Sequence, residues 1–395
     1  MSLSSRLPAL RAGCAIAILV LSAACSKDKE IDPPAELVDI QQQLNVQKRW
    51  SASMGGDSER LRLALKPYVL GGRVFSASYD GEVAAFSADR GKRLWLTNTK
   101  TKVSAGPSAN EEIVLVGTAE GEVIALDAGN GKQRWRKQLT SEVLAAPLIT
   151  ADVAVVRTVD GGLHELALAD GATRWTYTDT VPRLSLRGNA PPVLAGEAVI
   201  AGFDNGKVVS VDLHTGDVLW DTLVSAPRGR TELERLADID APANIVGDDI
   251  FVVGFQGRMA MLARESGQIW WARDASSYRG FAMDDELIYL TNADSVVVAM
   301  RKRDGNVEWE QPALRRRSLT APAIDGDALV VGDFEGYLHW LDRKTGKIIA
   351  RTKSGGERIT NAPVATQELV YVQTDDGKLL ALKSTPDKKR LAVGG

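Results

Sequence analysis

Short apolar runs bounded by turn residues recur along almost the whole chain. A run such as 113–117 (IVLVG) precedes a two-residue turn, and a strand of period two follows it, as in 121–126 (GEVIAL). The turns are Asp80-Gly81, Glu120-Gly121, Asp160-Gly161, Asn205-Gly206, Gln256-Gly257, Glu335-Gly336 and Asp376-Gly377. An acidic or amide residue followed by glycine supplies the positive φ angles of a tight hairpin. A period of two predicts strands and argues against helical repeats.

The hairpins belong to a longer unit. Residues 121–135 read GEVIALDAGNGKQRW, and the same grammar returns at 81–95, 161–175, 206–220, 257–271 and 295–309, with Ser295 replacing the first glycine. A copy without tryptophan spans 336–350, and a truncated one starts at Gly377, so eight units are present. The glycine four residues before each tryptophan (Gly91, Gly131, Gly171, Gly216, Gly267, Gly305, and Gly346 by position) recurs at spacings of 38 to 51 residues. That length suits one four-stranded blade per repeat. The expected fold is all-β: an eight-bladed β-propeller with four antiparallel strands per blade. A small-small-Pro step, as at Ala145-Ala146-Pro147 and Thr320-Ala321-Pro322, is assigned to the start of each innermost strand. Side chains there must be small, and proline is tolerated where a strand begins. Trp95, Trp135, Trp175, Trp220, Trp271 and Trp309 then fall on outermost strands, covering the gaps between blades.

The last unit stops near Thr385 without its tryptophan strand, whereas 46–50 (VQKRW) near the start of the chain carries the Lys-x-x-Trp ending. This N-terminal strand is expected to complete the eighth blade and remove a free sheet edge.

Residues 1–24 differ from the rest. Arg6 and Arg11 precede an apolar run at 12–21, then small residues and Cys25. This is a secretory signal ending in what resembles a bacterial lipobox, with Cys25 as the lipidated residue. Ser26, where an aspartate would retain such a protein in the inner membrane, points to the periplasmic face of the outer membrane. The division expected is signal peptide 1–24, tether 25–44 with room for a short helix over 36–44, propeller 45–385 and tail 386–395. Net charge is −3, which offers nothing to nucleic acid.

Chemistry is sparse. His164, His214 and His339 fall in different repeats, far apart on a ring, which speaks against a histidine metal centre. No nucleophile elbow, phosphate loop or calcium loop is present. The function candidates are therefore the places where the repeat breaks. One is 180–189 (TVPRLSLRGN), with Leu184 and Leu186 beside Arg183 and Arg187. The second is 225–242 (SAPRGRTELERLADIDAP), rich in charge, with Asp238 and Asp240 near its end. These loops follow blades 3 and 4 and should lie side by side. Exposed leucines ringed by charge make a protein-docking patch; the alternative is that they tuck under the neighbouring insertion. Arg315-Arg316-Arg317 is a third irregular loop, read as a solvated face.

The Ala-x-Asp-x-x-x-Gly-Lys-x-x-Trp motif at 125–135 resembles the repeat of pyrroloquinoline-quinone dehydrogenases, but the cysteine pair those enzymes use at their cofactor is missing here. A ligand- or quinone-binding propeller using the central channel stays as the rival reading. The lipobox, the eight repeats and the two loops together resemble the BamB family, lipoproteins of the outer-membrane β-barrel assembly machinery. That resemblance implies a non-enzymatic scaffold without a cofactor. It implies docking on a POTRA domain of BamA through Leu184, Leu186, Arg187, Asp238 and Asp240. It also implies help in delivering unfolded barrel precursors. Asp238 or Asp240 pairing internally with Arg187 is an alternative use of the same charges.

Overall fold

A computed structural model describes residues 32–56, 61, 63–186, 190–227, 230–231, 233–234 and 236–387. Cys25 and the signal segment lie outside the described residues, as do Arg187 and Arg228. Among the described residues there are eight four-stranded antiparallel sheets and no helix. Blades 1 to 7 occupy 68–98, 103–138, 148–178, 193–223, 244–274, 281–311 and 323–353. The eighth is composite. The strand Leu44–Ser53 pairs with Lys378–Pro386 beside Val370–Gln373 and Val364–Ala365, so the N-terminal strand closes the ring as expected.

Most of the opening prolines precede their inner strands, as expected, but Pro107 lies inside the strand Val103–Ala109. Pro191, Pro242, Pro322 and Pro363 all line one central cavity of about 900 Å³. At the periphery each outer strand carries a β-bulge at its tryptophan. Trp135 opposes Ala125, for example, but Leu126 opposes Gln133, leaving Arg134 as the extra residue. The N-terminal strand copies this device, with Trp50 opposite Ala381 and a register shift just before it. A bulge re-aims a side chain, and here it turns the indole toward the next blade.

Each indole N–H donates across the gap to a main-chain carbonyl of the following blade. Trp50 reaches Ala88 at 2.8 Å, Trp95 reaches Ala128 at 3.0 Å and Trp135 reaches Leu168 at 2.7 Å. Trp175, Trp220, Trp271 and Trp309 repeat the bond to Leu213, Arg264, Lys302 and Arg343. The recurrent glycine is the other half of this latch. A Cβ on Gly131 would lie 2.5 Å from the Trp95 ring, and one on Gly267 would lie 2.4 Å from Trp220. Both glycines also hold positive φ, +73° and +67°, which L residues avoid. The spacing that marks the repeat in sequence is thus the contact that joins one repeat to the next.

Blade 7 inverts the pattern. Ala350 holds the outer position, and the tryptophan has moved to its cross-strand partner, Trp340, which is fully buried. Trp340 donates to Asp325 within its own blade at 2.7 Å, and Ser384 of blade 8 donates to the same oxygen at 2.7 Å. Leu44 and Val46 pack against the cluster containing Trp340, Ala350 and Val370.

Residues 34–43 form no helix. They run over blade 7 as a strap, with Leu37 and Ile40 against the cluster of Leu314 and Leu319. Gln43 N–H donates to Ile349 at 2.7 Å, and Ala35 N–H donates to Arg315 at 2.9 Å. The loop at 315–317 is therefore more than a solvated face. Arg317 is buried, and it donates to Asp333 at 2.8 Å, to Glu335, and to the strap carbonyl of Ala35 at 3.0 Å.

Candidate functional site

The connections after blades 3 and 4 lie side by side on one face of the ring. The first leaves the strand Thr173–Thr178 with Asp179 accepting the Thr180 N–H at 2.7 Å. Asn205, from the hairpin turn of blade 4, donates to the Thr180 carbonyl at 3.2 Å. Leu184 is then 40% exposed, whereas Leu186 is half-buried and lines the central cavity.

The second connection has two parts. A turn is tied by Glu234, which accepts the N–H groups of Arg230 at 2.7 Å and Thr231 at 3.1 Å, and it leaves Leu233 exposed. Residues 236–239 then drop into the ring as a buried run. Ile239 N–H donates to Phe203 at 3.2 Å, and Phe255 N–H donates to Asp238 at 2.8 Å, stitching this run to blades 4 and 5. A Cβ on Gly202 would meet Ile239 at 2.4 Å, so the close approach depends on that glycine.

The two connections are tied directly: Leu186 N–H donates to Asp238 Oδ2. Asp238 is fully buried. It presents no surface to a partner in this arrangement; its carboxylate holds the first loop against the second. Asp240 is half-buried and lines the central cavity with Leu186. Leu184, Leu186, Asp238 and Asp240 are therefore brought together, and Arg187 lies outside the described residues.

Beneath the tie lies a cluster that the motif reading missed. Arg157, at the end of the strand Val153–Arg157 in blade 3, is completely buried. Its guanidinium donates to the Gly202 carbonyl and to Asp204 Oδ1 at 2.9 Å, and it stacks 4.2 Å from the Phe203 ring centre. The Ser185 hydroxyl of the first loop lies close enough to Asp204 to favour its ionised form. Burial pulls the Arg157 pKa down while Asp204, Asp240, Asp179 and Asp238 pull it back. Burial raises Asp204 despite Arg157. Asp238 is pushed up to about 7, by burial first and then by Asp204, against the Leu186 N–H that favours its ionised form. Arg157 Nε, Asp204 Oδ2 and Asp238 Oδ1 have no hydrogen-bond partner among the described residues. One cation thus serves several carboxylates. The signal was present in the repeats: equivalent second strands end in uncharged residues such as Ala77, Thr118, Val253 and Thr291.

The histidines stand in separate settings. His164 bonds Thr158 and Thr176, His214 bonds Glu197, and His339 bonds Asp333. Among the described residues no group of three or more His, Cys, Asp or Glu is placed to hold a metal ion.

Fold and repeats define the class: an eight-bladed propeller built from pyrroloquinoline-quinone-type repeats. The sequence matches the family described as outer membrane protein assembly factor BamB over residues 79–311 and 294–388. It is 47% identical to the assembly factor BamB of Pseudomonas aeruginosa over 367 residues, 93% of this chain and 96% of that protein. It is 44% identical to that of Kangiella koreensis, covering 93% and 95% of the two chains. The crystal structure of BamB from Moraxella catarrhalis superposes with a TM-score of 0.79 at 27% identity, covering 86% of this chain and all of that one. A quinohemoprotein alcohol dehydrogenase from Comamonas testosteroni shares the fold, with a TM-score of 0.67 at 14% identity over 86% and 76% of the two chains. The chain belongs to the BamB family of outer membrane protein assembly factors.

Proposed function

We propose that the protein is a non-enzymatic scaffold lipoprotein. Residues 1–24 are removed, and Cys25 is acylated and holds the chain at the periplasmic face of the outer membrane. A segment over 25–44 leads into the ring at 45–385, and 386–395 form a tail. The paired loops dock on a POTRA domain of BamA, and the complex assists unfolded barrel precursors. Leu184 and Leu186 fill an apolar pocket on the partner, and Asp240 with Arg187 sets the register. Asp238 acts from beneath by holding the loops. The observation that carries this reading is the bond from Leu186 N–H to Asp238, which fixes an exposed leucine loop beside an acidic one. Exposed apolar side chains on a rigid base are the usual form of a docking hot spot. The quinoprotein likeness, at 14% identity, bears on the fold alone.

The test is binding of the purified periplasmic region of the cognate BamA to wild type, Leu184→Glu and Leu186→Glu, by biolayer interferometry. A hot-spot leucine should cost roughly 2 kcal/mol, about thirtyfold in affinity. Wild-type affinity in both variants removes this face from the reading.

A further inference from the structure

We infer that Arg157 is the positioning residue of the docking face, holding both loops from beneath without touching the partner. The inference rests on the docking reading above. Arg157 belongs to blade 3, yet the groups it holds belong to blade 4: the Gly202 carbonyl, the Phe203 ring and the Asp204 carboxylate. Both loops close onto that segment. Asn205, next to Asp204, donates to the Thr180 carbonyl of the first, and the Ile239 N–H of the second donates to the Phe203 carbonyl. Asp238, which holds Leu186, lies close enough for its charge to act on Arg157. Removing this one cation leaves two neighbouring buried carboxylates with no balancing charge beneath the loops. They would move toward water, and Leu184 and Leu186 would move with them.

Stability alone does not account for an arginine here. A buried ion pair is often matched or bettered by apolar side chains of similar volume. Here the pair is also incomplete, since Arg157 Nε and Asp204 Oδ2 have no hydrogen-bond partner among the described residues. Neighbouring repeats manage this strand end with small or uncharged residues.

The experiment compares Arg157→Met, the double variant Arg157→Met/Asp204→Leu, and Leu186→Glu. Each is measured for affinity to the BamA periplasmic region, for melting temperature, and for hydrogen exchange at the Leu186 amide. The double variant replaces the ion pair by apolar volume and should regain the melting temperature lost in the single one. It still leaves Asp238 without a cation. The expected result is therefore at least tenfold weaker binding in both Arg157 variants, with faster exchange at Leu186. If the double variant regains wild-type affinity along with its melting temperature, Arg157 is structural only and the inference is overturned. Wild-type affinity in Arg157→Met, with binding lost in Leu186→Glu, also overturns it while leaving the docking reading intact. Wild-type affinity in Leu186→Glu overturns this inference, and the same result in Leu184→Glu removes the docking reading as well.

Discussion

Among the described residues the ring holds two buried arginine–aspartate sites that are built alike and finished differently. Arg157 meets Asp204 beside Phe203 between blades 3 and 4; Arg317 meets Asp333 beside Phe334 between blades 6 and 7. At the second site both oxygens of the carboxylate are fully engaged. Asp333 accepts from Arg317 and His339 through Oδ2, and from the N–H groups of Glu335 and Tyr337 through Oδ1. Burial opposes ionisation of Asp333, but the bonds from His339, Tyr337 and Arg317 outweigh it, and its pKa falls. At the first site burial wins, and Asp204 and Asp238 both rise. A satisfied buried network rigidifies, while a partly satisfied one costs stability. The satisfied site pins the strap at the closing seam. The unsatisfied one underlies the loops that carry the proposed docking leucines.

The largest test of this contrast is a pair of matched deletions. Asp333→Ala removes the acceptor shared by Arg317 Nε–H and His339 and leaves Glu335 as the remaining carboxylate on Arg317, and should cost about 3–5 kcal/mol in denaturant unfolding. Asp204→Ala leaves Asp238 available to balance Arg157, and should cost less than half as much. Equal losses at the two sites would erase the distinction.

Next in size is Asp238→Asn. The folded pKa of Asp238, about 7, lies above the ordinary carboxylate value of 3.8. The native state therefore holds its proton more tightly than the unfolded chain. That contribution is favourable below about pH 4 and is lost as pH rises toward 7. Asparagine keeps an oxygen for the Leu186 N–H and removes the charge. Asp238→Asn should raise stability by on the order of 2 kcal/mol at pH 8 and by little at pH 4. Chemical denaturation at the two pH values checks this, and a destabilised variant at pH 8 would place a fully paired carboxylate there.

The contrast also separates what a sequence displays from what it conceals. The eight units, their hairpins and the borrowed strand were legible because each rests on local pattern: period two, Asx-Gly turns, and a tryptophan four residues after a glycine. The two loops were legible as breaks in that pattern. The reason for the glycine was not, because the ring that needs it, such as Trp95 over Gly131, comes from the preceding blade. Asp238 read as a surface charge because the insertion that carries it is rich in charged residues. The run that carries it is drawn in where Ile239 meets Gly202 and Phe203, more than thirty residues away in the chain. The arginine run at 315–317 misled in the same way, since the carboxylates that bury Arg317 come from the next hairpin and its cover comes from residue 35.

The smallest effect is the most specific. Arg351 Nε–H has no lone pair to offer, so His339 Nδ1, 3.1 Å away, must accept. The imidazole proton therefore sits on Nε2 and donates to Asp333 at 3.0 Å. Arg351 in turn donates to the strap carbonyl of Val38 at 2.9 Å, so the neutral ring lies between the seam carboxylate and the strap. Tyr337 lies beside the ring, Glu335 neutralises Arg317, and Asp39 lies near Arg351. Burial lowers the His339 pKa against the pull of Asp333. The native state thus binds this proton less readily than the unfolded chain, whose histidine titrates near 6.5. The contribution is complete above that value and is lost as pH falls beneath it. Protonation would also set a donor against the Arg351 Nε–H and loosen the strap. Between pH 7.5 and 5.5 the wild type should lose about 1 kcal/mol that His339→Gln does not lose, the opposite sign to the change at Asp238. Hydrogen exchange at the Gln43 amide should speed up over the same range in the wild type only. If the variant follows the same pH course, His339 is not the titrating group of the seam.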